Sequence, residues 1–559
     1  MKSLNKSIGA LLCLAVFIPA SEPRAQWISS GVPVSAVAGD QQRPCIVSDG
    51  SGGAIMAWQD YRASGGTVAD IYAQRLDASG VPQWTANGVA LCVTPVYDYF
   101  PVIASDGAGG AIVAWHDGNA DVYAQRIDAS GTVVWTANGV PVCTASLQQM
   151  YPAIASDGAG GAYVAWHDSR GGNYDVYAQR LDASGAPLWT PGGVSVCAAA
   201  GHQRYPVMIV TPAFGALVAW QDERSGNMDI YAQRIMAAGT VQWGASGLAV
   251  CAEGGDQYEP RMAPLGTGVV VVWSDERDPD YSVVYAQRIS PSGIIQWTPG
   301  GVRVSPGSSW CAWPQVATAA TDRAVIVWSD DRDYFFNIYA QMINVDGALI
   351  WDPAGVPVCE EGHSQAYPLV APGGVGGVIV AWEDERGPTY DQYAQRLDGS
   401  GEVKWAVDGI SVCAYASAQQ HAAITPDELG GAIVVWDDDR PIGSKDIYAQ
   451  RIYFNGDVAT GITPALQPCL DLRPAYPNPF NPATTIAYSL PGDGWVKVVV
   501  HDVSGHPVRT LVDRRQTAGD QRIDWDGRDD GGAEVSTGVY FVRLESGGET
   551  RSVKTVFLK

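Results

Sequence analysis

Lysine is nearly missing from this chain of 559 residues: none stands between Lys6 and Lys404, and the formal net charge is −24. A chain this poor in basic groups lacks the cationic surface that phosphates require, which argues against nucleic acid as a partner. Beyond the N-terminus no apolar run is long enough to cross a membrane. The seven histidines, His116, His167, His202, His363, His421, His501 and His506, form no His-Glu-x-x-His spacing. A Gly-x-Ser-x-Gly nucleophile elbow is missing too. The ten cysteines do not read as a disulfide framework. Cys13 falls in the N-terminal apolar stretch, and Cys92, Cys143, Cys197, Cys251, Cys359 and Cys413 recur at one position of a repeat. Equivalent positions of a radial repeat lie too far apart for a bridge, whose Cα atoms must come within about 7 Å. These six read as small buried apolar residues on an outermost strand. Cys45, Cys311 and Cys469 stand outside that register, and one local bridge among the nine remaining cysteines stays open.

Glycine, tryptophan and tyrosine are abundant, a mixture suited to many short strands joined by tight turns. Lys2 and Lys6, the apolar stretch Ile8 to Ala20 and the polar break Ser21 to Arg24 predict a secretory signal peptide over residues 1–26. Its removal takes three positive charges and one negative, leaving −26. The mature chain is expected to be secreted or held at the outer cell surface, monomeric and not membrane-spanning.

Trp58, Trp115, Trp166, Trp220, Trp273, Trp328, Trp382 and Trp436 mark eight repeats, spaced by 57, 51, 54, 53, 55, 54 and 54 residues. In the unit 151–197, Pro152 to Ser156 and Ala162 to Trp166 read as strands about the turn Asp157-Gly158-Ala159-Gly160-Gly161. Asp175 to Leu181 alternates as a third strand, and Gly193 to Cys197 is a fourth. Four antiparallel strands in such a unit match one propeller blade, and packing blade on blade buries both faces. Trp27 to Val34 resembles the fourth-strand segment of every unit, while the eighth unit lacks that ending. The chain therefore predicts an all-β fold, an eight-bladed β-propeller over 27–463 whose N-terminal strand closes the last blade and removes open edges. A linker over 464–471 and an immunoglobulin-like sandwich over 472–559 follow.

Each marker tryptophan is followed two residues on by an acid, and seven of those acids by an arginine two residues further, as in Asp168 and Arg170, Asp222 and Arg224, Asp384 and Arg386. A further acid or amide opens the third strand: Asp175, Asp229 and Asp391 in the same blades. On the structural reading these sets tie loops, since guanidinium forks suit carboxylates. On the functional reading the loops form a ligand platform on one face, with Tyr61, Tyr174, Tyr281, Tyr334, Phe335 and Tyr390 offering stacking area. No catalytic residue, metal ligand or cofactor is singled out. Calcium at the glycine turns stays open, although each turn offers one carboxylate where calcium takes six to eight oxygens.

Tyr476-Pro477-Asn478-Pro479-Phe480-Asn481-Pro482, the turn Trp525-Asp526-Gly527-Arg528-Asp529 and the strand Gly538-Val539-Tyr540-Phe541 resemble the FlgD-type Ig-like domain of flagellar hook-capping proteins. They also resemble the type A C-terminal sorting domains of bacterial type IX secretion. The resemblance covers 472–559 and implies a cargo module that engages secretion machinery at the outer membrane. The repeats are similar to those of uncharacterised secreted bacterial proteins and imply no activity. Three functions remain: a non-enzymatic binding scaffold for a glycan or protein, a secreted polysaccharide hydrolase or lyase, and a purely structural envelope or matrix protein. Whether the chain is an enzyme stays open.

Overall fold

The computed structural model describes residues 27–458 and 471–558, apart from 29, 64–65, 375, 414, 416, 441–443, 473–474, 476–477, 479, 491–493, 518 and 548. The expected signal peptide, residues 464–470 of the expected linker, Cys13 and Cys469 lie outside the described residues. The chain divides into two compact units, Met1–Ile462 and Thr463–Lys559. No helix among the described residues is long and apolar enough to cross a membrane.

The first unit holds eight four-stranded antiparallel sheets, seven built from consecutive strands. In the third blade these are Gln149–Ser156, Ala162–Asp168, Asp175–Leu181 and Val194–Cys197, from the axis outward. Each innermost strand lies beside that of the next blade, and the eighth beside the first, so the blades form a closed propeller. The second strand of each blade is apolar along nearly its whole length and is enclosed by both neighbouring sheets, as for Ala162 to Trp166. Against each marker tryptophan lies a glycine. At Gly193 φ is +86°, and a Cβ would meet the Trp166 ring at 2.6 Å, so both the conformation and the space demand glycine.

The eighth blade takes its fourth strand from the other end of the propeller. Val32–Ser35 pairs with Asp446–Ile452, with Val32 opposite Ala449 and Pro33 opposite Tyr448. The Arg440 Nη2 donates to the Ser30 carbonyl at 2.8 Å, and the buried Trp27 indole donates to the Ala78 carbonyl of the first blade at 3.0 Å. The same rivet recurs within the ring, where Trp135 donates to Ala183 and Trp189 to Ala237 of the following blade.

The repeated Tyr-Ala-Gln-Arg has two distinct tasks. Gln179 Oε1 accepts the Trp189 amide and its Nε2 donates to the Thr190 carbonyl, both at 3.0 Å, tying third strand to fourth. Arg75 pairs with Asp49 of the glycine turn at 2.9 Å and reaches the Ala129 carbonyl of the next blade. The other Asp49 oxygen accepts two turn amides, at 2.8 and 2.9 Å. The eight described cysteines are free thiols, six of them on outermost strands.

The second unit is an immunoglobulin-like sandwich. One sheet joins Asp471–Leu472, Thr484–Leu490 and Gly519–Trp525; the other orders Pro507–Gln516, Gly494–His501, Gly538–Ser546 and Glu549–Phe557. Trp525, Phe480, Tyr488, Val498, Val542 and Phe557 fill the space between them. Ring contacts of Phe480 to Trp525 at 5.2 Å and to Phe557 at 5.1 Å fasten Phe480 to the core.

Candidate binding site at the mouth of the axial channel

In seven blades the acid two residues after the marker tryptophan is a junction, while in the second the Trp115 indole donates to Asp98 instead. Asp168 is fully buried, accepts the Trp166 indole at 2.9 Å and takes the Arg170 Nε at 2.8 Å. Arg170 lies 4.1 Å over the Tyr177 ring and donates to the Gly192 carbonyl and to Cys143 of the preceding blade. Asp222 with Arg224 and Asp384 with Arg386 repeat this geometry. The acids that open the third strands have other partners: Asn173 Nδ2 donates to Asp175 at 3.0 Å and Asn227 to Asp229 at 3.1 Å. Burial raises the pKa of Asp175 and Asp229 and pushes Asp391 up to about 6.

Of the six loop aromatics, Tyr334 is 99% and Phe335 46% exposed, while Tyr61, Tyr174, Tyr281 and Tyr390 are half-buried. The Tyr174 hydroxyl donates to Gln148, and its ring packs against His167 at 4.7 Å and His202 at 5.6 Å. Phe335 lies 6.4 Å from His363. A hydrogen bond with Glu385, with burial added, pushes Tyr390 up to about 12. Burial also raises Tyr61.

The same face carries a second set of residues that the repeat pattern did not bring forward. The start of each innermost strand pairs with the end of the second, Gln149 opposite Asp168, so it opens beside these loops. The strand then bulges: Met150 opposes His167, but the next pair is Ala153 with Ala165. At the bulge Tyr151 has φ +52°. All eight blades repeat this, at Arg43, Phe100, Tyr151, Tyr205, Glu259, Trp313, Tyr367 and His421, with φ between 50° and 57°. Bulky side chains avoid this left-handed region, and proline, which follows seven of the eight, disfavours it further. Such strain is on the order of 1–3 kcal/mol per residue and gathers where structure serves function.

Six of these residues, Arg43, Phe100, Tyr151, Tyr205, Glu259 and His421, line a cavity of about 600 Å³ at the axis, five of them with the proline beside them. The rings at these positions form two runs, the first on the cavity wall and the second, Trp313 with Tyr367, beyond its lining. Phe100 and Tyr151 are 5.1 Å apart, Tyr151 and Tyr205 5.2 Å, and Trp313 and Tyr367 4.3 Å. Arg43 lies 5.0 Å over Phe100. Tyr205 and Tyr367 are about half exposed, at 45% and 49%.

In five blades the residue directly after the marker tryptophan holds the next blade's strained residue in place. Gln59 Oε1 accepts the Phe100 amide at 3.1 Å, and Glu383 that of His421 at 2.8 Å. His116 and His167 accept those of Tyr151 and Tyr205 through Nδ1, both at 3.4 Å. An accepting Nδ1 requires a neutral ring, and burial lowers His116 to about 4 and His167 to about 3. Asp437 accepts the Arg43 amide at 3.2 Å, His421 Nδ1 at 2.8 Å and Lys445 Nζ at 2.9 Å. Burial alone would raise its pKa, but His421 and Lys445 outweigh burial and hold it low. Burial pushes Glu383 up to about 7. The Glu259 carboxylate, raised by burial, interacts with Arg261 and accepts the Trp313 amide of the next blade. Among the described residues no cluster of three or more His, Cys, Asp or Glu side chains could hold a metal ion.

The geometry defines a β-propeller whose repeated frame presents, at one equivalent position of its eight blades, side chains of six different types. The FlgD Ig-like domain matches residues 483–549, within the second unit. No curated protein matches the chain. Among solved structures, a puromycin hydrolase has a TM-score of 0.41 at 12% identity, over 84% of this chain and 61% of that one. A puromycin-hydrolyzing peptidase of Mycobacterium tuberculosis has 0.40 at 15%, over 75% and 61%. An alpha-L-arabinanase of Penicillium chrysogenum complexed with arabinobiose has 0.34 at 14%, over 57% and 97%. The chain thus covers 61% of each of the first two, and at these scores the likenesses carry no argument about activity.

Proposed function

We propose that the chain is a secreted or cell-surface, non-enzymatic binding scaffold that takes a glycan at the axial mouth of its propeller, and that the C-terminal domain directs its export. One observation carries the reading. Neighbouring positions of the innermost strand repeat almost unchanged, glutamine at the start and proline after the bulge. The strained residue between them varies as Arg, Phe, Tyr, Tyr, Glu, Trp, Tyr and His. Five of the eight are aromatic, and exposed rings beside a cavity suit the flat apolar faces of sugars. The carboxylates behind the mouth, Glu383 and Asp437, accept backbone amides and cations, which favours binding over hydrolysis.

The test is a glycan array with the full chain, with and without calcium. The expected result is binding to one glycan class that falls at least tenfold, the order of one lost base or ring stack, in Tyr151→Ala with Trp313→Ala. Loss instead in Tyr174→Ala, Tyr334→Ala and Tyr390→Ala would move the site to the loop platform. A blank array would overturn the glycan reading in favour of a protein partner or a structural role. For the export reading, removal of residues 472–559 is expected to leave the propeller inside the cell envelope; unchanged export overturns it.

A further inference from the structure

Thirteen of the nineteen arginines described in the first unit pair with an acid. Seven arginines pair with the acid after a marker tryptophan, and four more, from third strands, pair with turn aspartates. Two arginines on the cavity wall belong to neither set. Arg43 has its guanidinium over the Phe100 ring, and its amide, not its side chain, is held by Asp437. Arg261, two residues beyond the strained Glu259, donates Nη1 to the carbonyl of its neighbour Pro260 at 3.0 Å. Neither forms an ion pair among the described residues. Arg43 is exposed and Arg261 half-buried. They stand in the first and fifth of eight blades, on opposite sides of the ring.

This placement runs against the rest of the molecule, whose net charge is −24. The nearby acids satisfy the two cations only in part: Asp437 faces His421 and Lys445, and Glu259 acts on Arg261 without forming an ion pair with it. Burial lowers the pKa of Arg261, with Glu259 only partly offsetting it, so a bound anion would relieve its desolvation. A guanidinium presents paired donors matched to a carboxylate. Between the two cations, around the ring, stand Phe100, Tyr151 and Tyr205 on one side and Trp313 and Tyr367 on the other.

Resting on the glycan reading above, we propose that the axial mouth selects acidic saccharides, with Arg43 and Arg261 taking sugar carboxylates and the rings between them taking the sugar faces. The negative surface elsewhere repels such a chain, which confines binding to this opening.

The experiment is calorimetric titration of the full chain with oligogalacturonate and oligoalginate, each beside its methyl ester, at low and high salt. The acids are expected to bind, and esterification, Arg43→Gln and Arg261→Gln each to weaken binding by about tenfold to a hundredfold, as for loss of a hydrogen bond to a charged group. Arg43 is exposed, so its variant keeps the test valid if Arg261→Gln fails to fold. Equal binding of acid and ester with both arginine variants unchanged overturns the charge selection but leaves the glycan site standing. Binding of neutral glycans alone, lost in Tyr151→Ala with Trp313→Ala, does the same. No binding of any saccharide overturns both.

Discussion

His116 and His167 show how one atom decides a residue's role. Their Nδ1 atoms accept the amides of Tyr151 and Tyr205, which only a neutral ring can do. A histidine whose folded pKa lies below 6.5 contributes stability that is complete above that value and is lost as pH falls through the folded pKa. The window therefore runs from about pH 6.5 down to 4 for His116 and 3 for His167. The shift at His116 corresponds to about 3 kcal/mol. Gln59 fills the same place in the first blade and accepts an amide without titrating. His116→Gln with His167→Gln is thus expected to keep the fold and to flatten the acid side of the melting temperature against pH. Buried acids such as Asp98, pushed up to about 7, act in the opposite sense, losing stability as pH rises. The difference between variant and parent isolates the histidines, and an unchanged acid limb would refute their role. Asp168 is a sterner case. Asp168→Ala leaves the Trp166 indole and the Arg170 guanidinium without their acceptor. A loss of about 3–5 kcal/mol in denaturant unfolding is expected, as for other broken buried pairs, and a loss below 1 kcal/mol would show that the junction is not needed.

At the scale of elements, the strands were legible where residue type alone dictates them. Asp175 to Leu181 is one strand as its residues imply, and glycine marks the turn between first and second strands in seven of the eight blades. The innermost strand was only partly legible. Reading it from Pro152 omits Gln149 to Tyr151, because the bulge breaks the alternation that marks a strand and proline looks like a boundary. The axial residues fall in that omitted piece. Asp168 and Arg170 are two residues apart, so their pairing can be foreseen from the chain, whereas the eight axial residues, some fifty residues apart, meet only when a ring closes. The usable signal was a single variable column in an otherwise repeated frame. Closure makes its own prediction. Val34 is buried against the first and eighth blades, so Val34→Asp places an unpaired charge in that seam. Loss of the parent's elution peak in gel filtration or a clearly lower melting temperature is expected; a variant matching the parent in both would mean that the N-terminal strand is dispensable.

For the whole molecule, the propeller separates two duties. Junctions of Trp, Asp, Arg and Tyr recur from blade to blade and hold the frame, while a ring of eight positions varies without disturbing it. On the acidic-saccharide proposal, a net charge of −24 around an arginine-bearing mouth would make charge a filter on the whole ligand. The seam at Val32–Ser35 also fixes the order of events during synthesis. Seven blades are assembled from neighbouring stretches and can form as the chain emerges. The eighth joins residues more than four hundred positions apart, so the first strand made waits for the last. Until then the strand Val32–Ser35 has no partner, and an unfinished chain stays open, unable to close as a ring and still able to be threaded.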